Sequence, residues 1–319
     1  MDHLPLVSII IPCFNNAETI AETIKTAQNQ IYPEIEIIVV DDGSNDESTT
    51  IIKQIKDPRI RLISLPVNGG VAHARNIAIE NSRGDWIQFL DADDSIRPGK
   101  LKRQVADCNG ADIVISDCED IFSDGRRVKQ KNTVKNINRD GPISANEFFY
   151  RNPFRIHAPI VRRRCIEQAG GFDPSFFHED WEFWIRVALL SPVLKYISGV
   201  ECAYHRVEGS KSFDRIHNLE RQIDCLELVR KKAYAQNEKY QKHIDSALSN
   251  IKFRLTVRLY RNNEPERAKK YFRLIKDKIS LLEYFDIWLA RSPGLRRFQG
   301  SLPGPRKIRR LCQDFFSAK

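Results

Sequence analysis

What this chain lacks excludes a good deal before any motif is considered. Its seven cysteines (Cys13, Cys108, Cys118, Cys165, Cys202, Cys225 and Cys312) form no C-x-x-C pair, so neither zinc nor dithiol redox chemistry is indicated. Scattered and odd in number, they fit reduced thiols in a cytosolic protein. Met1 leads into a strand without a basic region, apolar stretch and cleavage site, so no signal peptide is expected. No apolar run is long enough to span a bilayer; Ser280 to Ala290 is short and carries Glu283 and Asp286. There is no internal repeat. No Ser-His or Cys-His set stands out, so a covalent nucleophile is not expected.

Charge of one sign is in excess. At 319 residues and a net charge of +9, the chain is large enough to bury a sizeable core and is biased towards anionic partners such as nucleotides, phosphorylated lipids or nucleic acid. The excess is uneven. After Trp288, Arg291, Arg296, Arg297, Arg306, Lys307, Arg309, Arg310 and Lys319 face only Asp314, while the first hundred residues hold many Asp and Glu.

The N-terminal part alternates strands and helices. Leu6 to Ile11 is an apolar run that reads as a buried strand ended by Pro12. Asn15 with Glu18 resembles a capping box opening a helix with Ile20, Ile24 and Ala27 on one face. Ile35 to Val40, Ile60 to Leu65, Trp86 to Leu90 and Ala111 to Ser116 read as further strands, with helices after Asp46 or Ser48, after Asn68-Gly69-Gly70, and from Pro98. This order predicts an α/β fold: a mainly parallel sheet with helices on both faces. Past Asp117 a hairpin turn is expected at Ser123 to Arg126, a short helix at Ser144 to Tyr150, a strand at Ile156 to Val161, and helices at Arg163 to Ala169 and Glu179 to Leu190. After Asp214 nearly everything reads as helix, roughly 216–236, 240–261, 265–278 and 280–290. The expected organisation is an α/β region over 1–212, with halves meeting near 117, and a helical extension over 213–319.

In such sheets ligands bind beyond the carboxyl ends of the strands. Phe14, Asp42 and Asp93 each follow a strand end, so they are expected to converge on one crevice. Asp91-Ala92-Asp93-Asp94 is the densest acidic group there. Alone it is compatible with a solvated turn. Clustered at a strand tip, its carboxylates repel one another unless a divalent cation with hard oxygen ligands sits among them. Asp42 can accept a hydrogen bond from a pyrimidine ring N–H, and Phe14 can stack on the base. Asn68 to Asn76 offers glycines for close approach and a helix start for phosphate, although Arg75 is equally suited to pair with a carboxylate. Gly170-Gly-Phe-Asp173 followed by His178-Glu-Asp-Trp181 sets an acid beside aromatics, where a general base can be held. Tyr204-His205-Arg206 and Ser210-Lys211-Ser212 flank Gly209 as a candidate lid.

Together these motifs resemble glycosyltransferase family 2, the nucleotide-sugar enzymes of GT-A fold. The matching stretches are Val7-Ser-Ile-Ile-Ile-Pro-Cys-Phe-Asn-Asn16, Ile37-Ile-Val-Val-Asp-Asp-Gly-Ser-Asn-Asp46, Asn68-Gly-Gly-Val-Ala-His-Ala-Arg-Asn76, Phe89-Leu-Asp-Ala-Asp-Asp94, and Gly170-Gly-Phe-Asp173 before Glu179-Asp-Trp181. The likeness covers roughly 4 to 212. It implies a metal-dependent inverting transferase moving a sugar from a nucleotide donor, a UDP-sugar, to a hydroxyl of a glycan or lipid-linked glycan, in bacterial surface polysaccharide synthesis. By that resemblance Asp180 is the catalytic base. Pro12, Phe14, Asn15, Asp42, Arg75, Asp91 and Ala92 form the nucleotide side. Asp93 is the metal ligand, for Mn2+ or Mg2+, with His205 a second candidate. Glu179 and Trp181 lie towards the sugars.

Two departures qualify the likeness. His205 sits where the family's lid pattern usually has Arg. The Gln-x-x-Arg-Trp motif and transmembrane helices of processive synthases are missing, which implies a non-processive enzyme. The basic tail, with Phe298, Leu302, Leu311, Phe315 and Phe316 among its arginines, suits a peripheral contact with an anionic membrane, on the inner face of the plasma membrane. Nucleic acid is not expected as a partner, because no recognised fold or aromatic platform accompanies the charge. Competing readings are a nucleotidyltransferase-like sugar-nucleotide enzyme and a non-catalytic sugar-nucleotide-binding scaffold.

Overall fold

The computed structural model describes residues 4–130, 140–206, 214–280, 283, 284, 286 and 287. The Gly209 to Ser212 part of the predicted lid, most of the helix predicted over 280–290 and the whole basic tail lie outside the described residues, whereas Tyr204 to Arg206 are described. The chain divides into two compact units that meet after residue 210.

The first unit runs β1 (Val7–Cys13), α1 (Ile20–Gln28), β2 (Ile35–Asp41), α2 (Ser48–Gln54), β3 (Ile60–Ser64), α3 (Val71–Glu80), β4 (Trp86–Phe89), β5 (Ser95–Ile96), α4 (Lys100–Ala106), β6 (Ile113–Phe122), β7 (Arg127–Gln130), β8 (Asp140–Pro142), α5 (Asn146–Tyr150), β9 (Pro159–Arg162), α6 (Arg163–Ala169), α7 (Glu179–Leu189) and β10 (Val193–Arg206). One ten-stranded sheet has the order β3-β2-β1-β4-β9-β6-β10-β5, with β7 beside β6 and β8 beside β10. Most paired residues are in parallel ladders: β1 with β2 and β4, β2 with β3, and β6 with β10. The sheet is continuous through residues 117 and 118, which both lie in β6.

Strand order explains the composition of each strand. β1 and β2 are central, and every residue in each is buried. A parallel strand covered on both faces reads as a nearly continuous apolar run, which is why Ile9, Ile10 and Ile11 follow one another without a polar break. Each such side chain contributes about 1.5–3 kcal/mol on burial. β3 is the edge, and it is only half-buried.

Some boundaries differ from expectation for identifiable reasons. β1 continues through Pro12 to Cys13. Its pairing with β4 ends at Ile10 opposite Phe89, so the missing Pro12 N–H is not needed on that side. The capping box does not form. Asn15 has φ +53°, a left-handed conformation that cannot lead into a helix, and α1 starts five residues later with Thr19 as its cap. The face formed by Ile20, Ile24 and Ala27 is buried as read. β10 was not foreseen: register shifts between Tyr196 and Cys202 break the alternation that marks a strand.

The second unit contains α8 (Arg215–Lys231), a short 3-10 turn (Ala233–Ala235), α9 (Glu238–Arg261) and α10 (Pro265–Ile275). Asp214 caps α8 by accepting from the Ile216 and His217 N–H groups, and Asn237 caps α9 through Lys239 N–H. Leu226, Val229, Ile244, Ile251 and Leu255 form its buried interior. No described helix is long and apolar enough to cross a membrane.

Candidate active site

Parallel register brings the first two strand tips together. Cys13 lies opposite Asp41, and the Asp42 N–H donates to the Cys13 carbonyl at 2.8 Å. Phe14 therefore leaves the sheet beside Asp42, with its ring 43% exposed, while Pro12 stays buried in β1. Asn15 ties this tip to the next loop: its N–H donates to Ser44 Oγ at 3.0 Å, and its Oδ1 accepts from Asn45 N–H at 3.0 Å. The Asp42 carboxylate is buried and accepts from the Gly69 and Gly70 N–H groups, at 2.9 and 2.8 Å. Those N–H groups at the entrance to α3, proposed from sequence for phosphate, are thus held by a carboxylate. Asp41 accepts from Thr49 Oγ1 at 2.7 Å, and its Oδ1 is buried without a hydrogen-bond partner.

Helix α3 is the spine of the site. Arg75 is 3% exposed, and its two terminal nitrogens reach different carboxylates: Asp91 at 2.7 Å and Glu179 at 2.7 Å. The charged fork also lies 5.2 Å from the centre of the Phe172 ring. The next residue, Asn76, donates to the Phe172 carbonyl at 2.7 Å and accepts from the Phe172 N–H at 2.8 Å. Gly171 is required there, because a Cβ would come within 2.7 Å of Asn76 Oδ1 and its φ is +70°. Two consecutive side chains of one helix thus connect three motifs: the acidic loop after β4, the Gly-Gly-Phe-Asp turn and the start of α7.

The acidic loop divides its labour. Asp91 pairs with Arg75. Ala92 is buried, and its carbonyl accepts from Thr23 Oγ1 at 2.9 Å. Asp94 is buried, accepts from the His205 N–H at 2.9 Å, and lies 3.0 Å from His157 Nδ1. Asp93 has no side-chain partner among the described residues. Burial, then Asp94 and Asp91, push its carboxyl up to about 7. A crowded carboxylate with free oxygens is a donor set suited to a hard divalent cation, so the residues present fit the metal expected from the sequence. The His205 ring faces Ser95, with Nε2 3.0 Å from Oγ.

At the start of α7, Asp180 accepts from Asn152 Nδ2 at 2.7 Å and from the Trp181 N–H at 2.8 Å. Burial raises its carboxyl above the ordinary range, while Arg75 opposes the rise. Glu179 is raised in the same way, first by burial. Trp181 is 3% exposed, and its indole N–H donates to the Phe148 carbonyl at 2.6 Å, so the ring is part of the core.

Sequence reasoning overlooked Asn76, Asn152 and His157. Asn76 stood at the end of a motif already singled out; nothing local marked Asn152 or His157. His157 lies 3.2 Å from Cys118 Sγ, and these two with Cys202 form a buried cluster within mutual reach, the one group of three metal-ligating types among the described residues. Burial alone would lower the His157 imidazole, yet Asp94 and Cys118 hold it up at about 10. Cys118 in turn is lowered, by hydrogen bonding with Cys202 and then with His157. With Asp94 3.0 Å from one ring nitrogen and Cys118 3.2 Å from the other, a charged His157 makes this cluster a support for Asp94.

Comparison with known proteins places the chain in a family. The model of glycosyl transferase family 2 matches residues 8–170. An uncharacterized glycosyltransferase of Haemophilus influenzae is 36% identical over 187 residues, covering 57% of this chain and 72% of that protein. The Escherichia coli UDP-Glc:alpha-D-GlcNAc-diphosphoundecaprenol beta-1,3-glucosyltransferase WfaP is 28% identical over 242 residues, covering 72% of this chain and 89% of WfaP. Among solved structures, S. aureus TarS 1-349 in complex with UDP-GlcNAc superposes with a TM-score of 0.64 at 20% identity, covering 93% of this chain and 91% of that one. The chain belongs to glycosyl transferase family 2 and is a glycosyltransferase of GT-A fold.

Proposed function

We propose that the enzyme is metal-dependent and inverting, and moves a hexose from a UDP-sugar to a hydroxyl of a glycan or lipid-linked glycan, in the synthesis of a bacterial surface polysaccharide. What carries this reading is Arg75: by holding Asp91 and Glu179 it keeps the open carboxylate of Asp93 and the raised carboxylate of Asp180 in one neighbourhood. The name of the WfaP relative, with UDP-Glc as donor and a diphosphoundecaprenol-linked sugar as acceptor, supports the donor and acceptor classes.

Asp180 acts as the base. As the acceptor oxygen bonds to the anomeric carbon and the carbon–oxygen bond to the diphosphate breaks, Asp180 takes the hydroxyl proton. Two donors already hold its oxygens, fixing their direction, and the raised carboxyl is a stronger base than an exposed one. Phe14 lies against the base and Asp42 orders the loop around it. Asp93 would hold the metal, which when bound supplies positive charge for the departing diphosphate.

The test is a thermal-shift screen of nucleotide sugars with and without Mn2+, since a ligand that binds only the folded state raises its melting point. UDP compounds should shift it more than GDP or dTDP compounds, and Asp93→Ala should abolish the metal-dependent part. Equal response to all three bases would sink the UDP assignment. A peripheral membrane contact through residues 291–319 belongs to the same proposal: truncation after Ala290 should reduce membrane fractionation, and unchanged fractionation refutes it.

A further inference from the structure

The helical unit carries a charge arrangement that sugar transfer at the acidic site does not use. On α9, Arg254, Arg258 and Arg261 recur at i, i+4 and i+7, so they form one stripe. Arg215 opens α8, where the positive end of the helix dipole disfavours a cation. All four line one cavity of about 540 Å³, together with the apolar side chains of Leu219, Phe253 and Val257. Asp286 is the one carboxylate among the described residues that line it.

Three of these arginines are not spent on the described protein. The side chains of Arg215, Arg254 and Arg258 make no hydrogen bond or ion pair with any described residue. Elsewhere in the same unit arginines are paired: Arg267 reaches Glu220 at 2.7 Å, and Arg230 reaches Asp245 at 3.5 Å. At the centre of the stripe, burial and then Arg215, Arg261 and Arg254 hold the Arg258 guanidinium below its usual value. Like charges at i, i+4 are unfavourable unless something answers them.

We propose that this cavity binds a phosphate-bearing ligand, of the size of a diphosphate or a sugar phosphate. The guanidinium fork matches phosphate oxygens two at a time, which a lysine cluster would not do. Apolar walls beside the arginines strengthen their field. The volume is that of an ordinary small-molecule site. The phosphate can belong to a soluble compound or to a lipid headgroup, and the experiment separates the two.

The full chain is titrated calorimetrically with inorganic pyrophosphate in the presence of a chelator, beside two variants. One is Arg254→Gln with Arg258→Gln; the other is Asp93→Ala. Wild type should bind with a steep salt dependence, the double variant roughly tenfold or more weakly, and Asp93→Ala like wild type. No binding by wild type overturns the proposal, and so does unchanged binding by the double variant. The double variant should melt at or above the wild-type temperature without ligand, which separates lost binding from lost folding. Sedimentation with phosphatidylcholine vesicles, with and without phosphatidylglycerol, decides the source. Binding that needs phosphatidylglycerol, is competed by pyrophosphate and is lost in the double variant assigns a headgroup. Vesicle binding that persists in the double variant counts against the lipid source.

Discussion

The strand-tip site and the α8–α9 cleft treat charge in opposite ways. In the first unit, buried carboxylates and arginines answer one another: Arg75 takes Asp91 and Glu179, Arg206 and Arg155 converge on Asp120, and Arg186 meets Glu182. Asp93 has no side-chain partner among the described residues there. In the cleft, three arginines have no side-chain partner among the described residues. The difference teaches where binding energy is stored. A paired charge fixes architecture, and its loss costs stability. An unpaired one is held against repulsion, and its loss costs ligand binding.

The sharpest test of that distinction is Asp180→Asn. The amide keeps the hydrogen-bonding outline but cannot take a proton, so turnover should fall by about 10²–10⁴ while nucleotide-sugar binding is retained. A variant with full turnover would remove Asp180 from the mechanism. The pH profile gives the sign independently. The base works ionised, and burial raises its carboxyl, so activity should be lost as pH falls through a value above the usual carboxylate range. An acid limb at the ordinary aspartate position would contradict this.

Arg75→Ala comes next and should act on stability. It leaves two carboxylates without their common partner, at a cost of about 3–5 kcal/mol in denaturant unfolding. Arg75→Lys should recover only part, because one ammonium cannot fork to both. Asn76→Ala removes a paired donor and acceptor from the Phe172 backbone and should cost about 1–3 kcal/mol. If either substitution left stability untouched, the contrast between architectural and functional charge would fail in the first unit.

Legibility followed locality in the sequence. Groups set in short contiguous motifs at strand ends were legible, so Phe14, Asp42 and Asp93 were named from sequence, as was the β-α alternation that aims them. Several of the groups that pair with site residues across the fold were not. Asn152 meets Asp180 from 28 positions away and His157 meets Asp94 from a loop with no motif of its own. Arg75 was named for a nucleotide, whereas its partners are carboxylates up to 104 positions distant. Local pattern also failed where tertiary pairing dominates: β5 has two residues, and β10 is interrupted by irregular register. Trp181, read as a sugar contact, was recognised by its motif, but the carbonyl that takes its N–H belongs to α5.

The smallest expected effect is the most pointed. Arg258 sits one turn from Arg254 and close to Arg215 and Arg261, with no carboxylate of its own. Glutamine has nearly the same helix propensity as arginine, so Arg258→Gln changes little besides charge. Removing one like-charge helical pair is worth about 0.2–0.5 kcal/mol, so the ligand-free protein should become slightly more stable, opposite in sign to Arg75→Ala. The gain should shrink in high salt, which screens the repulsion it relieves. A loss of stability, independent of salt, would mean that Arg258 packs as architecture, and the cleft would then resemble the strand-tip site instead of contrasting with it.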